Sequence, residues 1–234
     1  LDELWDESDR RHLYPFINCT QCGPRYSIVE DLPYDRARTS MRAFPMCPAC
    51  RAEYEDPRSR RFHAEPNACH ECGPRLALWD PSGQTLARDH DAMLAAATAL
   101  RDGRTVAIKG IGGFHLMVDA RDETAVRRLR AAKRRAAKPF AVMFPALADV
   151  LASCRVTAAE QALLVGPARP IVILRRLGPC LAPAVAPGNP WVGALLPYTP
   201  LHHLLMRALG FPVVATSGNV TDEPIVTDEH EALR

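Results

Sequence analysis

Apolar and polar residues follow regular periods along this chain only after about residue 85. Between His90 and Asp102, apolar side chains recur at the three- and four-residue spacing of a helix, and Gly103 ends that segment. Residues 122–137 have the same pattern and are predicted to form a second helix, which is broken before Pro139. Each of these helices is expected to bury one apolar face against a core.

Shorter patterns fill the rest of this region. Further short helices are predicted over residues 145–154, 157–165 and 201–209. Apolar runs predict buried strands over residues 105–109, 140–144, 170–174 and 212–216. Residues 178–200 contain several prolines and are predicted to be rich in loops. Strands that alternate with helices predict an α/β domain.

The first 80 residues have a different composition. They are rich in Pro, Arg, Asp and Cys and poor in aliphatic runs, so they cannot bury a core of normal size. A bound metal is expected to supply the stability that burial does not. The turn-forming stretch Asp80–Gln84 is predicted to be the boundary. We therefore expect a zinc-finger-like region over residues 1–80 and a second domain over residues 85–234.

Composition and charge limit the functional class. Hydrophobic residues make up 47% and charged residues 24% of the chain, which is ordinary for a soluble protein. No stretch reaches the roughly 18 uncharged apolar residues of a membrane helix, and the acidic start is unlike a signal peptide. We therefore expect a cytoplasmic protein with no membrane partner. Residues 1–80 hold 14 acidic and 11 basic residues, a balance of −3, which disfavours nucleic acid as a partner.

Two CxxC pairs are the strongest chemical signal. Cys47–Cys50 and Cys69–Cys72 are separated by eighteen residues, a spacing typical of a four-thiolate zinc site. Four protein ligands would close the metal to substrates, so the zinc is expected to be structural. We interpret the nearby His63 and His70 as surface or second-shell residues rather than ligands.

A fifty-residue repeat extends this signal to a third pair. Shifted by fifty residues, Cys19–Arg25 aligns with Cys69–Arg75 and shares its CxxCGPR pattern. The repeat predicts two related zinc modules, with the second over about residues 44–78. Cys19 and Cys22 are then the expected metal ligands of the first module, whose partner pair would lie before residue 1. We therefore expect that the chain begins inside that module. Spacing alone leaves sequential and interleaved pairing of the CxxC pairs open.

Basic residues crowd the second predicted helix and the turn after it. We interpret Arg127, Arg128 and Arg130 as a solvated face. The segment Lys133–Lys138 differs, because it leads directly into a buried strand, where α/β domains expose ligand-binding groups. Its cationic side chains suit an anionic ligand such as a polyphosphate. These side chains are Lys133, Arg134, Arg135 and Lys138.

Two other strand ends carry candidate binding groups. Lys109 ends a predicted strand and meets the glycine-rich turn Gly110–Gly113, where a phosphate or carbonyl could approach the backbone closely. This turn is neither a dinucleotide fingerprint nor a P-loop. Ser217 and Asn219 follow another predicted strand and offer a hydroxyl and a carboxamide. An ordinary strand-end turn is the alternative interpretation of that segment.

Taken together, these residues resemble the HypF-type hydrogenase maturation carbamoyltransferases, over essentially the whole chain. The stretches that resemble their paired zinc modules are Phe16–Arg25, Leu32–Arg36, Phe44–Cys50 and Phe62–Cys69. Lys109–Leu116 resembles the entry to their YrdC-like domain. The stretches that resemble nucleotide-handling motifs, shared with threonylcarbamoyl-adenylate synthases, are Lys133–Arg135, Lys138–Met143, Leu196–His203 and Thr216–Asn219.

The resemblance implies an α/β fold, with a YrdC-like twisted mixed sheet and helices preceded by a small zinc-stabilised module. It implies that the YrdC-like, nucleotide-binding domain joins AMP from ATP to carbamate derived from carbamoyl phosphate, with Mg²⁺ on the triphosphate. The carbamoyl group would then pass to the C-terminal cysteine of the partner HypE, towards the cyanide ligands of nickel-iron hydrogenase. The chain would hold the middle of such an enzyme, truncated at both ends.

Within this scheme the expected catalytic residues are Lys109, Lys133 and Arg135. The expected nucleotide-binding residues are Lys109, Lys133, Arg134, Arg135, Lys138, Ser217 and Asn219. An antibiotic O-carbamoyltransferase and a threonylcarbamoyl-adenylate synthase-like enzyme remain alternatives, although the zinc modules count against the synthase. A zinc-ribbon nucleic-acid-binding protein is the alternative from another class, and the acidic balance of residues 1–80 counts against it.

Overall fold

The computed structural model describes residues 1–20, 23, 25–219 and 223–233. The chain divides into two compact units, Leu1–Leu76 and Ala77–Arg234. The predicted boundary turn, Asp80–Gln84, lies inside the second unit, where it joins the two strands of a hairpin. Among the described residues, no helix has the length and apolar character needed to cross a membrane.

The first unit contains little regular structure. Its helices are α1 (Asp2–Trp5) and α2 (Pro48–Glu55), with 3₁₀ turns at Tyr26–Ile28, Arg36–Arg38 and Ser40–Ala43. Its apolar cluster is small and is built around the buried side chains of Tyr14, Met41 and Ala68. The composition of this region predicted such a small core, because few aliphatic residues are available to fill one.

The fifty-residue repeat appears in the first unit as a reciprocal exchange of ion pairs. Glu53 receives guanidinium groups from Arg10, at 2.6 Å, and from Arg11, at 2.5 Å. Glu3, which is the equivalent of Glu53, receives Arg61, which is the equivalent of Arg11, at 2.8 Å. Partial burial opposes ionisation of both glutamates, but the arginine hydrogen bonds overcome it and lower the pKa of each to about 2. Each half of the repeat thus supplies the carboxylate that neutralises the arginines of the other.

The second unit is a mixed α/β structure. Its strands are β1 (Ala77–Trp79), β2 (Thr85–Arg88), β3 (Val106–Lys109), β4 (Phe114–Asp119), β5 (Ala141–Met143), β6 (Cys154–Arg155), β7 (Val172–Arg176), β8 (Trp191–Leu195) and β9 (Val213–Ser217). Its helices are α3 (Asp89–Arg101), α4 (Glu123–Ala132), α5 (Leu147–Ser153), α6 (Ala158–Val165) and α7 (Pro200–Leu209). The predicted helices and strands are present at these places, but five of the nine strands were not predicted, namely β1, β2, β4, β6 and β8. Helix α4 ends at Ala132, five residues earlier than expected.

Seven strands of the described chain form one mixed sheet in the order β3-β4-β9-β5-β8-β7-β6. Neighbouring strands in it run antiparallel except β5 and β8, which are parallel. The core lies on this sheet and is closed partly by α4, whose buried face is Ala125, Val126 and Leu129. Burial of each such aliphatic side chain contributes about 1.5–3 kcal/mol, so this unit has a core of ordinary strength.

Strand directions bring three chain segments to one edge of the sheet. Strands β3 and β9 run in the same direction because each is antiparallel to β4, which lies between them. Lys109 and Ser217, their last residues, therefore lie at the same edge. Strand β5 runs opposite to β9, so it starts at that edge, directly after the segment Lys133–Lys138. We call this place the sheet-edge site.

Candidate functional site

The four predicted zinc ligands of the first unit lie together. The sulfur atoms of Cys47, Cys50, Cys69 and Cys72 are all within 4.8 Å of one another, and neighbouring pairs are 3.6–3.9 Å apart. Four thiolates at a zinc–sulfur distance of about 2.3 Å in a tetrahedron have sulfur atoms about 3.8 Å apart. Cys47 is the N-cap of α2, and Cys50 lies in its first turn. The geometry and the donor atoms therefore fit Zn²⁺, and four protein ligands leave no position for a substrate.

The surroundings of the cluster suit a charged metal–thiolate group. Arg10 directs two guanidinium nitrogens at the Cys50 sulfur, at 3.3 and 3.4 Å, and Arg11 adds a third contact at 3.7 Å. Cationic donors of this kind offset the negative charge that four thiolates place on one zinc ion. Gly73, which follows the last ligand, is required by packing, because a Cβ there would lie 2.0 Å from the Tyr14 hydroxyl.

The other candidate ligands that the structure describes in the first unit are not part of this cluster. Cys19 is exposed, and Cys22 is outside the described residues. His70 places Nε2 at 2.8 Å from the carbonyl oxygen of His12, and His63 packs against the ring of Tyr54. The described metal-binding group contains neither histidine.

Lys133 connects two of the predicted strand-end segments at the sheet-edge site. Its ammonium group donates to the carbonyl oxygens of Ser217, at 2.5 Å, and Asn219, at 3.1 Å, and to Asn219 Oδ1, at 3.2 Å. The Ser217 hydroxyl in turn donates to Asn219 Oδ1 at 2.6 Å. Partial burial and the nearby charge of Arg135 lower the pKa of Lys133. An ammonium group in such surroundings forms stronger hydrogen bonds when an anion replaces the neutral carbonyl oxygens.

Arg135 lies beside this lysine. Its guanidinium group donates to Thr216 Oγ1 at 3.2 Å and to the carbonyl oxygens of Lys138, at 3.0 Å, and Pro139, at 2.5 Å. It also stacks over the buried ring of Phe140, 4.8 Å from its centre. These contacts fix Arg135 to the strand that starts at this edge, so two cations are held next to the end of β9.

Arg130 was wrongly interpreted as part of a solvated face. Its side chain is half-buried and donates to the carbonyl oxygens of Ala184, at 2.6 and 3.0 Å, and Arg135, at 2.8 Å. It also stacks over the ring of Phe140, 4.6 Å from its centre. Arg130 thus holds the loop that presents Lys133 and Arg135. Its acceptor Ala184 is 54 residues away, so local charge patterning gave no signal for this role.

Lys109 reaches the same edge but has a different partner. Its ammonium group pairs with the Glu229 carboxylate at 2.7 Å, and both side chains are about half-exposed. The following turn needs its last glycine, because Gly113 has a φ of +136° and a Cβ there would lie 2.4 Å from Ile225. Segment 225–226 is held against this turn by a hydrogen bond from Phe114 N to Val226 O at 2.9 Å.

The structure thus brings four predicted side chains together and leaves others apart. Lys133, Ser217 and Asn219 form one hydrogen-bonded group, and Arg135 lies beside it with a hydrogen bond to Thr216. Lys109 ends a strand at the same edge. Arg134 and Lys138 are on the same loop but are exposed. The grouped cations, hydroxyl and carboxamide make an arrangement that can bind phosphate or carboxylate oxygens.

Comparison with known proteins gives matches for both units of the chain. Residues 98–234 match the Sua5/YciO/YrdC family model, described as telomere recombination, and residues 1–29 and 46–79 match the HypF finger. Over 232 residues, 99% of the chain, it is 53% identical to carbamoyltransferase HypF of Rhodobacter capsulatus. The chain spans 31% of the length of that relative.

Solved structures give the same result. The crystal structure of full-length HypF in the phosphate- and nucleotide-bound form matches with a TM-score of 0.91 at 51% identity, over 99% of this chain and 30% of that one. The crystal structure of T. kodakarensis HypF matches with a TM-score of 0.94 at 43% identity, also over 99% and 30%. The chain therefore belongs to the Sua5/YciO/YrdC family, carries a HypF finger before that domain, and is similar along its length to HypF carbamoyltransferases.

Proposed function

We propose that the second unit forms carbamoyl adenylate from ATP and carbamate, with the carbamate derived from carbamoyl phosphate. The observation that carries this proposal is the contact of Lys133 with Ser217 and Asn219 at the sheet-edge site, beside the contact of Arg135 with Thr216. The names of the relatives support a carbamoyl transfer, and a similar solved HypF binds phosphate and nucleotide. These names favour this reaction over the antibiotic and threonylcarbamoyl alternatives.

The reaction joins two anions. A carbamate oxygen attacks the α-phosphorus of ATP, a new oxygen–phosphorus bond forms, and the bond to pyrophosphate breaks. No proton has to move, so the site needs no general base and works by positioning and by charge stabilisation. Lys133 and Arg135 offset the repulsion between the reactants. Mg²⁺ would be bound to the triphosphate, so that the substrate is the ATP·Mg²⁺ complex.

The remaining polar groups orient the reactants. The Ser217 hydroxyl and the Asn219 carboxamide are linked at 2.6 Å and lie under the Lys133 ammonium group, where they can hydrogen-bond a phosphate or carbamoyl oxygen. Lys109 would contribute by exchanging its exposed partner Glu229 for a phosphate oxygen. Exposed ion pairs of this kind contribute only about 0–1 kcal/mol, so the exchange is energetically easy.

The wider scheme rests on the family resemblance. In it, the carbamoyl group passes to the C-terminal cysteine of HypE for cyanide ligand synthesis, and the zinc of the first unit stays structural. A cytoplasmic setting suits the four-thiolate cluster, because thiolate ligands persist in a reducing compartment. Binding of nucleic acid or of a membrane is not part of the proposal.

Nucleotide titration of this chain tests the proposal. Lys133→Ala should weaken ATP·Mg²⁺ binding about tenfold to a hundredfold, because a charge-assisted hydrogen bond contributes about 1.5–3 kcal/mol. Arg127→Ala is the matched control, since Arg127 lies on α4 but is exposed and pairs with Glu123. Equal affinities for the two variants would overturn the role of Lys133. Carbamoyl-phosphate-dependent exchange of pyrophosphate into ATP then tests the chemical step.

A further inference from the structure

Three aromatic side chains form a cluster beside the sheet-edge site. None of them has a role in the reaction proposed above. His115 lies on β4, Tyr198 follows β8, and His202 is in the first turn of α7. The two imidazole rings are nearly parallel, with centres 5.9 Å apart, and the Tyr198 ring is 4.5 Å from that of His202. We call these residues the imidazole cluster. His202 is fully buried, whereas His115 and Tyr198 are partly exposed.

Local structure fixes the orientation of His202. Thr199 is the N-cap of α7, and its hydroxyl oxygen accepts a hydrogen bond from the backbone N–H of His202 at 3.1 Å. The same oxygen lies 2.9 Å from His202 Nδ1. One side of the imidazole ring is thereby fixed against Thr199, and the other nitrogen, Nε2, faces away from the helix start.

Two buried nitrogens of the cluster have no hydrogen-bond partner in the described parts of the chain. They are His202 Nε2 and His115 Nδ1. The third nitrogen, His115 Nε2, reaches the Tyr198 hydroxyl only at 3.5 Å, which is the limit for a hydrogen bond. A buried polar group without a partner is unfavourable for folding, and two such groups in one cluster indicate a place where a small polar molecule binds.

The cluster lies directly against the proposed reaction site. His115 is the register partner of Ser217, so the two side chains are on the same face of the sheet. A Cβ on Gly110, the residue after Lys109, would lie 3.3 Å from the Tyr198 hydroxyl and 3.8 Å from His202 Cε1. The imidazole cluster is therefore next to both strand ends.

The cluster offers hydrogen bonds without charge. Burial, with smaller contributions from His115 and His203, lowers the pKa of His202 to about 3, and burial also lowers the pKa of His115. Burial raises the pKa of Tyr198 to about 12. All three groups are thus neutral near pH 7. A neutral site suits carbamate in particular, because protonation of its nitrogen releases carbon dioxide and ammonia.

We propose that the imidazole cluster binds the small planar carbamate, through His115, Tyr198 and His202, while the Lys133–Arg135 loop binds the phosphates of the nucleotide. This inference rests on the proposed function and assigns its acyl substrate to a separate set of side chains. His202 and His115 are the contact residues for the planar group, and Thr199 is the positioning residue that orients His202. The cluster adds no bond-making step to the adenylation.

Nuclear magnetic resonance of the histidine rings in this chain provides the test, with bicarbonate as the probe because it has the planar shape and charge of carbamate. Saturable shifts of the ring nitrogens of His115 and His202 are expected, with His203 unaffected. His202→Gln should weaken bicarbonate binding at least about tenfold, since a lost buried hydrogen bond to a charged group costs about 1.5–3 kcal/mol. His203→Gln is the matched control, because it changes the next residue of α7.

A second variant covers the case in which His202→Gln fails to fold. Tyr198→Phe keeps the ring and removes only the hydroxyl, and it should weaken bicarbonate binding about threefold to tenfold, as expected for one neutral hydrogen bond. ATP titration of the same samples separates this inference from the proposed function. Undiminished ATP binding without saturable histidine shifts would mean that the cluster holds an internal water only, and would overturn the inference alone. If the unchanged chain did not bind ATP at all, the proposed function itself would be contradicted.

Discussion

The two units of this chain are stabilised in different ways. The first unit has a small apolar cluster and buries the charged side chains of Arg11 and Arg61. The second unit has an extensive apolar core, and its buried polar residues are few among those described. The first unit therefore depends on a metal and on ion pairs, and the second on burial of apolar surface.

This difference also divides the chemistry between the units. The zinc cluster is closed by four sulfur atoms, so it can stabilise a fold but has no open position for a substrate. The sheet-edge site has cations whose present acceptors are mostly backbone carbonyl oxygens, which a phosphate can replace. The more conspicuous sequence signal thus marks the structural unit, and the weaker signal marks the candidate reaction site.

Metal removal should have the largest effect and should separate the units. Cys50→Ser, or treatment with a zinc chelator, should unfold residues 1–76, because a structural zinc contributes about 10 kcal/mol or more to such a fold. The amide spectrum of the second unit should be retained. Cys180→Ser is the control, since Cys180 is exposed and outside the cluster. If the first unit stayed folded without metal, burial would have to be its main source of stability.

Removal of one exchanged carboxylate should have the next largest effect. Glu53→Gln leaves Arg11 buried without its charge partner and should destabilise the first unit by about 3 kcal/mol. Glu55→Gln lies on the same helix and breaks only the exposed pair with Arg51, so a loss below about 0.5 kcal/mol is expected. Urea unfolding, followed by signals of the first unit, measures both. Equal losses would argue against the exchange as a source of stability.

Arg130→Ala should affect the second unit and its site together. The variant loses hydrogen bonds to Ala184 and Arg135 and should cost about 2 kcal/mol of unfolding free energy. Because the loop carrying Lys133 loosens, ATP affinity should fall as well. Arg128→Ala, on the exposed part of the same helix, serves as the comparison. If Arg130→Ala bound ATP as tightly as the unchanged chain, the conformation of this loop would not control nucleotide binding.

Acidification from pH 7 to pH 6 should have the smallest effect, and His202 should contribute most to it. The pKa of this group is about 3 in the folded protein, against an ordinary value of 6.5, because burial disfavours the charged ring. Its contribution to stability is complete above pH 6.5 and is lost as the pH falls from there towards 3, by up to about 1.4 kcal/mol per pH unit. Urea midpoints of the second unit at pH 7, 6 and 5 measure this slope.

A matched pair of variants shows which histidine causes this pH dependence of stability. His202→Gln should reduce the slope without abolishing it, because burial also lowers the pKa of His115 and lowers that of His203 to about 4. His90→Gln, at an exposed position of α3, should leave the slope unchanged. The first unit should respond to acid at lower pH through its carboxylates, since the pKa values of Glu3 and Glu53 lie at about 2 instead of 4.5. Their contribution is lost as the pH falls from 4.5 towards 2. A slope in His202→Gln equal to that of the unchanged chain would contradict the assignment.

Local patterns predicted the amphipathic helices but not two central strands. Helices α3 and α7 agree closely with their periodicity, because one face of each is apolar. Strand β4 has no alternation, since its last three residues are all buried between β3 and β9. Strand β8 contains Gly193 and lies between prolines, so its composition is typical of a loop. Both strands are defined by pairing with distant segments, which a local pattern does not contain.

The candidate site shows the same limit. Charge and strand-end position were enough to select Lys133, Arg135, Ser217 and Asn219, which lie together in the fold. The role of Arg130 depends on an acceptor 54 residues away, and the imidazole cluster depends on the pairing of β4 with β9. Such roles follow only once the long-range contacts are known.

We propose that the zinc of the first unit is structural and that the chemistry belongs to the second unit. Calorimetric titration of this chain with ATP·Mg²⁺, before and after a chelator removes the zinc, separates the two roles. The dissociation constant should stay within about twofold while the amide signals of residues 1–76 collapse. If ATP binding were lost together with the zinc and returned when zinc was restored, the division of roles between the units would be wrong.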